Sequence, residues 1–391
     1  MLSQRIRELK PAATLEINAK RLELIDQGRE IINFGVGEPD FDTPEFVRRA
    51  AQDAIDHGWT RYTPVPGVAA LREAVASQVS KTRGVGVDAS EVIITNGAKH
   101  ALAQALLARV DRGDEVLIPS PYWVSYPEMV RVCEGQPVAV PTSAADRYKV
   151  TPSTLEPFVS PRTVGLILNS PNNPTGAVYQ RDELDALLAF AEENDLWVLS
   201  DEIYEDFVYD GVFASAWTEE SRRSTMLVSG VSKSYAMTGW RIGWLVAEPG
   251  FVKQLTRLQS HTSSNATSVS QAAALAALSE DGRSFCHSML DRFRHRRSRT
   301  VELLGAIDGV VVEPPQGAFY VFCDVTGVLE RPGAPSTSQE LCLAALDRAG
   351  VALVPGEAFG VERALRLSYA CSTANIEKGI EALRRYFDEL S

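Results

Sequence analysis

Between Glu91 and Glu248 short apolar runs alternate with helix-patterned segments, and no other feature of the 391 residues restricts the fold as much. Val92–Thr95 (VIIT) reads as a buried strand and NGAK as a turn. HALAQALLARV then sets Leu102, Ala105, Leu106 and Val110 on one helical face. DRGD turns the chain into the next strand, EVLIP. Further strand candidates are Val164–Leu168, Leu196–Ser200, Thr225–Ser229 and Gly243–Ala247. Alternation of this kind specifies an α/β chain with a parallel sheet covered by helices. Beyond about residue 285 the pattern changes to a long charged helix, shorter strands such as GAFYVFCDV, and a closing amphipathic helix, NIEKGIEALRRYFDEL. The expected division is a large domain over residues 46–285, with a smaller α+β domain built from 286–391 and the opening 1–45.

Composition narrows the function classes. A formal net charge of −12 disfavours nucleic acid or anionic lipid as a partner. One stretch runs against that balance, the basic DRFRHRRSRT (Asp291–Thr300), which reads as the solvated face of a long helix. No apolar run approaches the roughly 18 residues that a membrane helix needs. The opening MLSQRIRELKPAAT lacks the apolar core of a secretory signal, so a cytoplasmic protein is expected. The five cysteines are scattered, with no CxxC pair, and the five histidines show no HExxH spacing, so no metal site is expected.

Ligands of open parallel sheets sit beyond the carboxyl ends of strands. After VIIT comes Gly97-Ala98-Lys99, opening a helix, and after EVLIP comes Ser120-Pro121-Tyr122-Trp123. Asn169 and the PNNPTG turn holding Asn173 follow the third strand, and Asp201-Glu202-Ile203-Tyr204 the fourth. The fifth leads into VSKSYAMTGWRIGW, which holds Lys233, one of only eight lysines among 39 basic residues. Each piece alone has a plainer reading: a generic turn, a core tryptophan, a helix N-cap at Asp201, a turn asparagine. Together they describe one ligand. The Gly97 turn and helix start, Ser232 and Arg241 suit a phosphate. Trp123 suits a flat ring, Asp201 a protonated ring nitrogen, and Lys233 an imine with an aldehyde. Pyridoxal 5′-phosphate has all of these parts.

The chain resembles the class I/II aminotransferases of the fold-type I pyridoxal-phosphate enzymes, and most of all the bacterial aspartate aminotransferase subgroup, some members of which use prephenate. The resemblance rests on LKPAAT, GEPDFDTP, PYWVSYPEM, NSPNNPTGAVY, SDEIYE, SKSYAMTGWRIGW, GAFYVF, VPG and RLSYA, which span nearly the whole chain. It implies a mostly parallel seven-stranded sheet flanked by helices, plus a smaller α+β domain. It further implies that Lys233 carries the cofactor as a Schiff base, that Asp201 pairs with the ring nitrogen, and that Tyr204, helped by Asn173, bonds the ring's phenolic oxygen. Trp123 would stack on the ring, with Gly97, Ala98, Lys99, Ser232 and Arg241 on the phosphate. Tyr62, in RYTPVPG, resembles the tyrosine that reaches the phosphate of a partner subunit, so a homodimer with shared active sites is implied. Arg366, with the backbone N–H of Gly37, would hold the substrate α-carboxylate.

The implied reaction is ping-pong transamination, L-aspartate with 2-oxoglutarate being favoured and prephenate a possible second oxo acid. The stretch Ser260–Gln271 has no arginine for a distal carboxylate, so the resemblance points to Lys10 for that contact. Transamination of aromatic amino acids or alanine, and C–S β-lyase chemistry, are alternatives on the same cofactor residues. A dehydrogenase is disfavoured, because Gly35-Val36-Gly37 lacks the third glycine and the following helix of a dinucleotide fingerprint.

Overall fold

The computed structural model describes residues 3–7, 9 and 14–390. Seven strands form the main sheet, in the order Val92–Thr95, Gly243–Val246, Thr225–Gly230, Trp197–Asp201, Thr163–Asn169, Glu115–Ser120, Gln136–Pro141. The neighbours from Thr225–Gly230 to Gln136–Pro141 are parallel. Their side chains are almost wholly buried at the centre, as expected for strands covered on both faces. On one face, Leu102 and Leu106 of the helix Ala98–Arg109 pack with Leu255 of Pro249–Thr262 against Ile93, Val228 and Leu245. On the other, Leu184 and Leu187 of Arg181–Glu193 pack against Leu166 and Val198.

The sheet departs from uniform parallel order at one strand. Gly243–Val246 runs antiparallel to both of its neighbours, Val92–Thr95 and Thr225–Gly230. The reason lies in the connection. Residues 231–242 contain only a short 3-10 turn, Thr238–Trp240, and a parallel return needs a longer crossover, usually a helix. Gln136–Pro141 is a strand that apolar patterning missed. Its prolines at the second and last positions are tolerated because it lies at the sheet edge.

A second layer of structure forms at the other end of the chain. Tyr320–Asp324 lies between Ala364–Ser368 and Val311–Val312 in a four-stranded antiparallel sheet completed by Val354–Pro355. The helices Glu280–Gly305, Ser338–Ala349 and Thr373–Asp388 cover it, through Phe293, Leu341, Leu346 and Leu383. Ile32–Asn33 pairs in parallel with Val351–Ala352, so the N-terminal segment is tied to this layer.

The basic stretch Asp291–Thr300 does lie on a long helix, Glu280–Gly305, but it is not uniformly solvated. Arg296 is buried and donates to both carboxylate oxygens of Asp40, at 2.6 and 2.9 Å. Helical periodicity turns Phe293, Arg296 and Thr300 inward while Arg292, Arg294 and His295 face water. The inward guanidinium is tolerated because it is paired.

Candidate active site

The groups that follow the strands converge on one cavity of about 620 Å³ at the carboxyl edge of the parallel strands. Its chemistry starts at the turn after Val92–Thr95. Gly97 has φ +86°, a left-handed conformation, and a Cβ there would lie 2.6 Å from Nη2 of Arg241. On the neighbouring strand, a Cβ at Gly243 would lie 2.3 Å from the backbone N of Ala98. The two glycines therefore let the Arg241 segment pack directly on the start of the helix Ala98–Arg109. Arg241 itself sits at φ +56° and donates to the carbonyls of Thr238 (3.0 Å) and Asn96 (3.3 Å). Lys99 holds its ammonium 4.8 Å from the Trp123 ring centroid, and burial, then the Arg241 charge, lower its pKa. Helix-start amides, Arg241, Lys99 and the buried Ser232 make this end of the cavity receptive to an anion.

Asp201 ends the central strand Trp197–Asp201 and is buried. Burial pushes its carboxyl up to about 6, opposed by hydrogen bonds that favour the charged form. Those bonds come from Tyr126 Oη to Oδ2 (2.7 Å) and from the Ile203 N–H to Oδ1 (3.2 Å). Asn169, at the end of the adjacent strand, donates from Nδ2 to the Asp201 carbonyl at 2.9 Å, and its Oδ1 accepts from the Asn173 N–H at 2.8 Å. The acid is thus held by two neighbours at its side chain, and its carbonyl accepts from Asn169 Nδ2 and the Ser170 N–H. Tyr204 is buried with its hydroxyl 2.8 Å from that of Tyr320.

Lys233 lies past the strand Thr225–Gly230, half-buried, with its Nζ donating to the carbonyl of Gly37 at 2.5 Å. Burial pushes its amine down to about 8, and the Arg366 and Arg241 charges act in the same direction, while Glu38 and Asp201 oppose them. A lysine of this kind is a nucleophile and proton carrier near neutral pH.

Arg366 lies on the small-sheet strand Ala364–Ser368 and is buried. Nη1 donates to Asn173 Oδ1 and Nη2 to the Gly35 carbonyl, both at 2.9 Å. The guanidinium lies 4.5 Å from the Tyr320 ring centroid and 5.0 Å from that of Phe359. Its buried Nε has no hydrogen-bond partner among the described residues.

Ala98, Lys99, Trp123, Asn173, Asp201 and Tyr204 line the cavity, as do Ser232, Lys233, Arg241, Arg366 and Gly37. Gly97 underlies Arg241 at its margin. Tyr62 does not line it: the ring is 90% exposed, in the loop before the helix Ala69–Arg83. Lys10 lies outside the described residues. Sequence reasoning assigned no role to Tyr126, Asn169, Tyr320 or Phe359, all of which line the cavity. Of these only Asn169 carried a signal, since it directly ends a strand.

The sequence profile of the aminotransferase class I and II family matches residues 29–383. The chain is 41% identical to a probable aspartate/prephenate aminotransferase of Aquifex aeolicus, covering 100% of this chain and 99% of that one. It is 40% identical to an aspartate aminotransferase of Bacillus sp. strain YM-2, over 99% of each. Among solved structures, Thermus thermophilus aspartate aminotransferase with maleate superposes with a TM-score of 0.93 at 40% identity, covering 98% of this chain and 99% of that one. The aspartate aminotransferase of Rhizobium meliloti gives a TM-score of 0.95 at 38% identity over the whole of both chains. The sheet, its helical cover and the smaller second layer are the fold-type I transferase architecture. With amine, acid and guanidinium gathered in one cavity and the family matched over nearly its whole length, the chain belongs to the class I and II aminotransferases and is an enzyme of the transaminase type.

Proposed function

We propose that this chain is a pyridoxal-phosphate-dependent aspartate aminotransferase, which moves the amino group of L-aspartate to 2-oxoglutarate and accepts prephenate as a further oxo acid. One observation carries the reading. Lys233, its amine pushed down to about 8, shares a cavity with an acid on a strand end, Asp201, and a buried guanidinium, Arg366. The names of the relatives from Aquifex aeolicus and Nitrosomonas europaea, both aspartate/prephenate aminotransferases, support the substrate choice.

The residues of the cavity fit this cofactor. The turn that a Cβ at Gly97 or Gly243 would fill suits a phosphate, and we assign that end to Gly97, Ala98, Lys99, Ser232 and Arg241. A carboxyl raised by burial, as Asp201 is, gains from a cationic partner, and we assign it the protonated ring nitrogen. Trp123 is assigned the ring face, and Tyr204 with Asn173 the phenolic oxygen. Bound there, pyridoxal phosphate supplies an aldehyde for the amine and a ring that accepts the electrons released at the substrate Cα. Lys233 would take the proton from that Cα and return it in the product-forming step, as base and then acid. Asp201 would keep the ring nitrogen protonated. Arg366 and the Gly37 N–H, both lining the cavity, would bind the substrate α-carboxylate, which orients the Cα–H bond toward the amine. Lys10 is assigned the distal carboxylate.

The proposal includes a homodimer in which Tyr62 reaches the partner's phosphate site, supported by an aromatic ring left exposed beside its own cavity-free loop. It includes a division into a large domain, 46–285, and a small one, 1–45 with 286–391, supported by the seven-stranded sheet lying within the first and the two- and four-stranded sheets within the second. A cytoplasmic location is proposed on the five unpaired cysteines.

A substrate panel tests the reading. The purified chain with pyridoxal phosphate is given aspartate, glutamate, alanine and an aromatic amino acid as donors, with 2-oxoglutarate, oxaloacetate and prephenate as acceptors. Aspartate with 2-oxoglutarate is expected to give the highest kcat/KM, with ping-pong kinetics. Pyruvate released from cystathionine without any acceptor, and no transfer from aspartate, would overturn it in favour of a lyase.

A further inference from the structure

Behind the cavity lies a buried charged network that the reaction does not use directly. The segment Asp201–Asp206 turns Asp201 and Tyr204 into the cavity and Glu202, Glu205 and Asp206 away from it. The lysine segment divides in the same way. Ser232 and Lys233 line the cavity, while Ser229 and Ser234 face the acids behind. Ser229 Oγ donates to Glu205 Oε1 at 2.7 Å, and Ser234 donates to the Asp206 carboxylate. Arg83, the last residue of the helix Ala69–Arg83, has its side chain 2% exposed and reaches in from outside both segments. Its Nη2 donates to Glu202 Oε2 at 2.8 Å and to Glu205 Oε2. Glu202 Oε1 is further bonded by Ser200 Oγ (3.0 Å), Ser215 Oγ (2.7 Å) and the Ala216 N–H (3.1 Å).

We infer that Arg83 is a positioning residue for transamination: through Glu202 and Glu205 it locks the Asp201 segment to the lysine segment, and so fixes Asp201 relative to Lys233. The inference rests on the function proposed above. Burying three carboxylates around one guanidinium is costly compared with apolar packing, so the network is a poor device for stability alone. What it has and apolar contact lacks is direction. Charge-assisted hydrogen bonds set separations to a few tenths of an ångström, whereas apolar burial is non-directional. Its links through Ser229 and Ser234 join the two segments that carry the acid and the amine, and Arg83 anchors Glu202 and Glu205 of the first segment to a helix outside them. An error in that register would misplace the ring-nitrogen acid against the proton-carrying amine, which affects turnover more than substrate binding.

The test uses the holoenzyme with two variants. Arg83→Met combined with Glu205→Gln removes the guanidinium and one carboxylate together, so that the net charge of the network is unchanged, while Glu202 keeps its bonds from Ser200, Ser215 and the Ala216 N–H. Arg83→Lys keeps the charge and part of the donor set. The readouts are kcat and KM for both substrates, and the pH midpoint of the visible absorbance of bound pyridoxal phosphate. The double variant is expected to lose about tenfold or more in kcat with KM changed less than about threefold. Its absorbance midpoint should move by about half a unit or more. Arg83→Lys should recover part of both losses. Wild-type kcat per bound cofactor together with a wild-type midpoint in the double variant would overturn the inference. If neither variant folds, Ser229→Ala, which deletes one hydroxyl from the network, is read by the same two criteria. A wild-type protein that binds no pyridoxal phosphate would overturn the proposed function and this inference with it. Normal wild-type turnover with unaffected variants overturns the inference alone.

Discussion

Lys233 is the residue at which burial becomes reactivity. With its amine at about 8, about one molecule in ten is neutral at pH 7, against about one in three thousand for an ordinary lysine near 10.5. The rate at which cofactor-free protein captures pyridoxal phosphate should therefore rise with pH around a midpoint near 8 and level off above it, as stopped-flow absorbance would record. A midpoint near 10 would mean that the amine is not desolvated. The same shift has a stability sign. Between about pH 8 and 10.5 the unfolded chain binds a proton that the folded one has released, so Lys233 makes the cofactor-free fold more stable as pH rises through that window. Tyr126 acts on the other titrating group. Its hydroxyl favours the charged Asp201, so Tyr126→Phe should raise the carboxyl further and move the acid limb of kcat/KM up by about half to one unit. An unmoved limb would mean that the bond does not tune Asp201. Neither tyrosine that bonds a cavity group across the chain, Tyr126 or Tyr320, was legible as such in the sequence. Their partners lie 75 and 116 residues away, and a buried tyrosine looks like any core aromatic until its hydroxyl finds an acceptor. Lys233 and Asp201 stood out as an amine and an acid at or close after the ends of buried strands, Asn173 for its PNNPTG turn, and Arg241 as a guanidinium eight residues from Lys233.

Among the elements, the antiparallel strand Gly243–Val246 does what a parallel one could not. By returning immediately from the lysine segment it brings Arg241 and Gly243 against the start of the helix Ala98–Arg109. Gly243→Ala should push the backbone of Ala98 aside, because the added Cβ meets main-chain atoms at 2.3 to 2.9 Å rather than a yielding side chain. We expect a loss of about 1–3 kcal/mol in stability by thermal or urea unfolding, with weaker binding of pyridoxal phosphate. An unchanged cofactor Kd would separate this turn from phosphate binding. The strand itself was visible as an apolar run, but its direction was not. Direction depends on the connecting segment, and the residues 231–242 carry no periodicity from which to read it. The edge strand Gln136–Pro141 was missed for a related reason: an exposed edge need not be apolar, and its two prolines read as breakers.

For the whole molecule, the proposed homodimer would bring one chain's Tyr62 to its partner's phosphate site. Tyr62→Phe should weaken cofactor binding about tenfold, the scale of one lost hydrogen bond to a charged group, without altering the cavity of its own chain. Equilibrium sedimentation should give a dimer for both proteins, and an unchanged Kd would remove Tyr62 from the site. This level of organisation was the least legible in the residues themselves. An exposed tyrosine on a loop has no periodicity or neighbour to betray a partner, and only the resemblance pointed to it. Arg296 was misread at the same scale, because its partner Asp40 lies 256 residues away in sequence. The central claim is that the Lys233 amine takes the cofactor's aldehyde and carries the reaction's proton. Borohydride reduction of the holoenzyme, followed by peptide mass analysis, tests it most directly. The account predicts a stable pyridoxyl group on the peptide containing Lys233, none in Lys233→Ala, and loss of about a thousandfold or more of kcat in that variant. A label on another lysine, or near-normal turnover in Lys233→Ala, would contradict it.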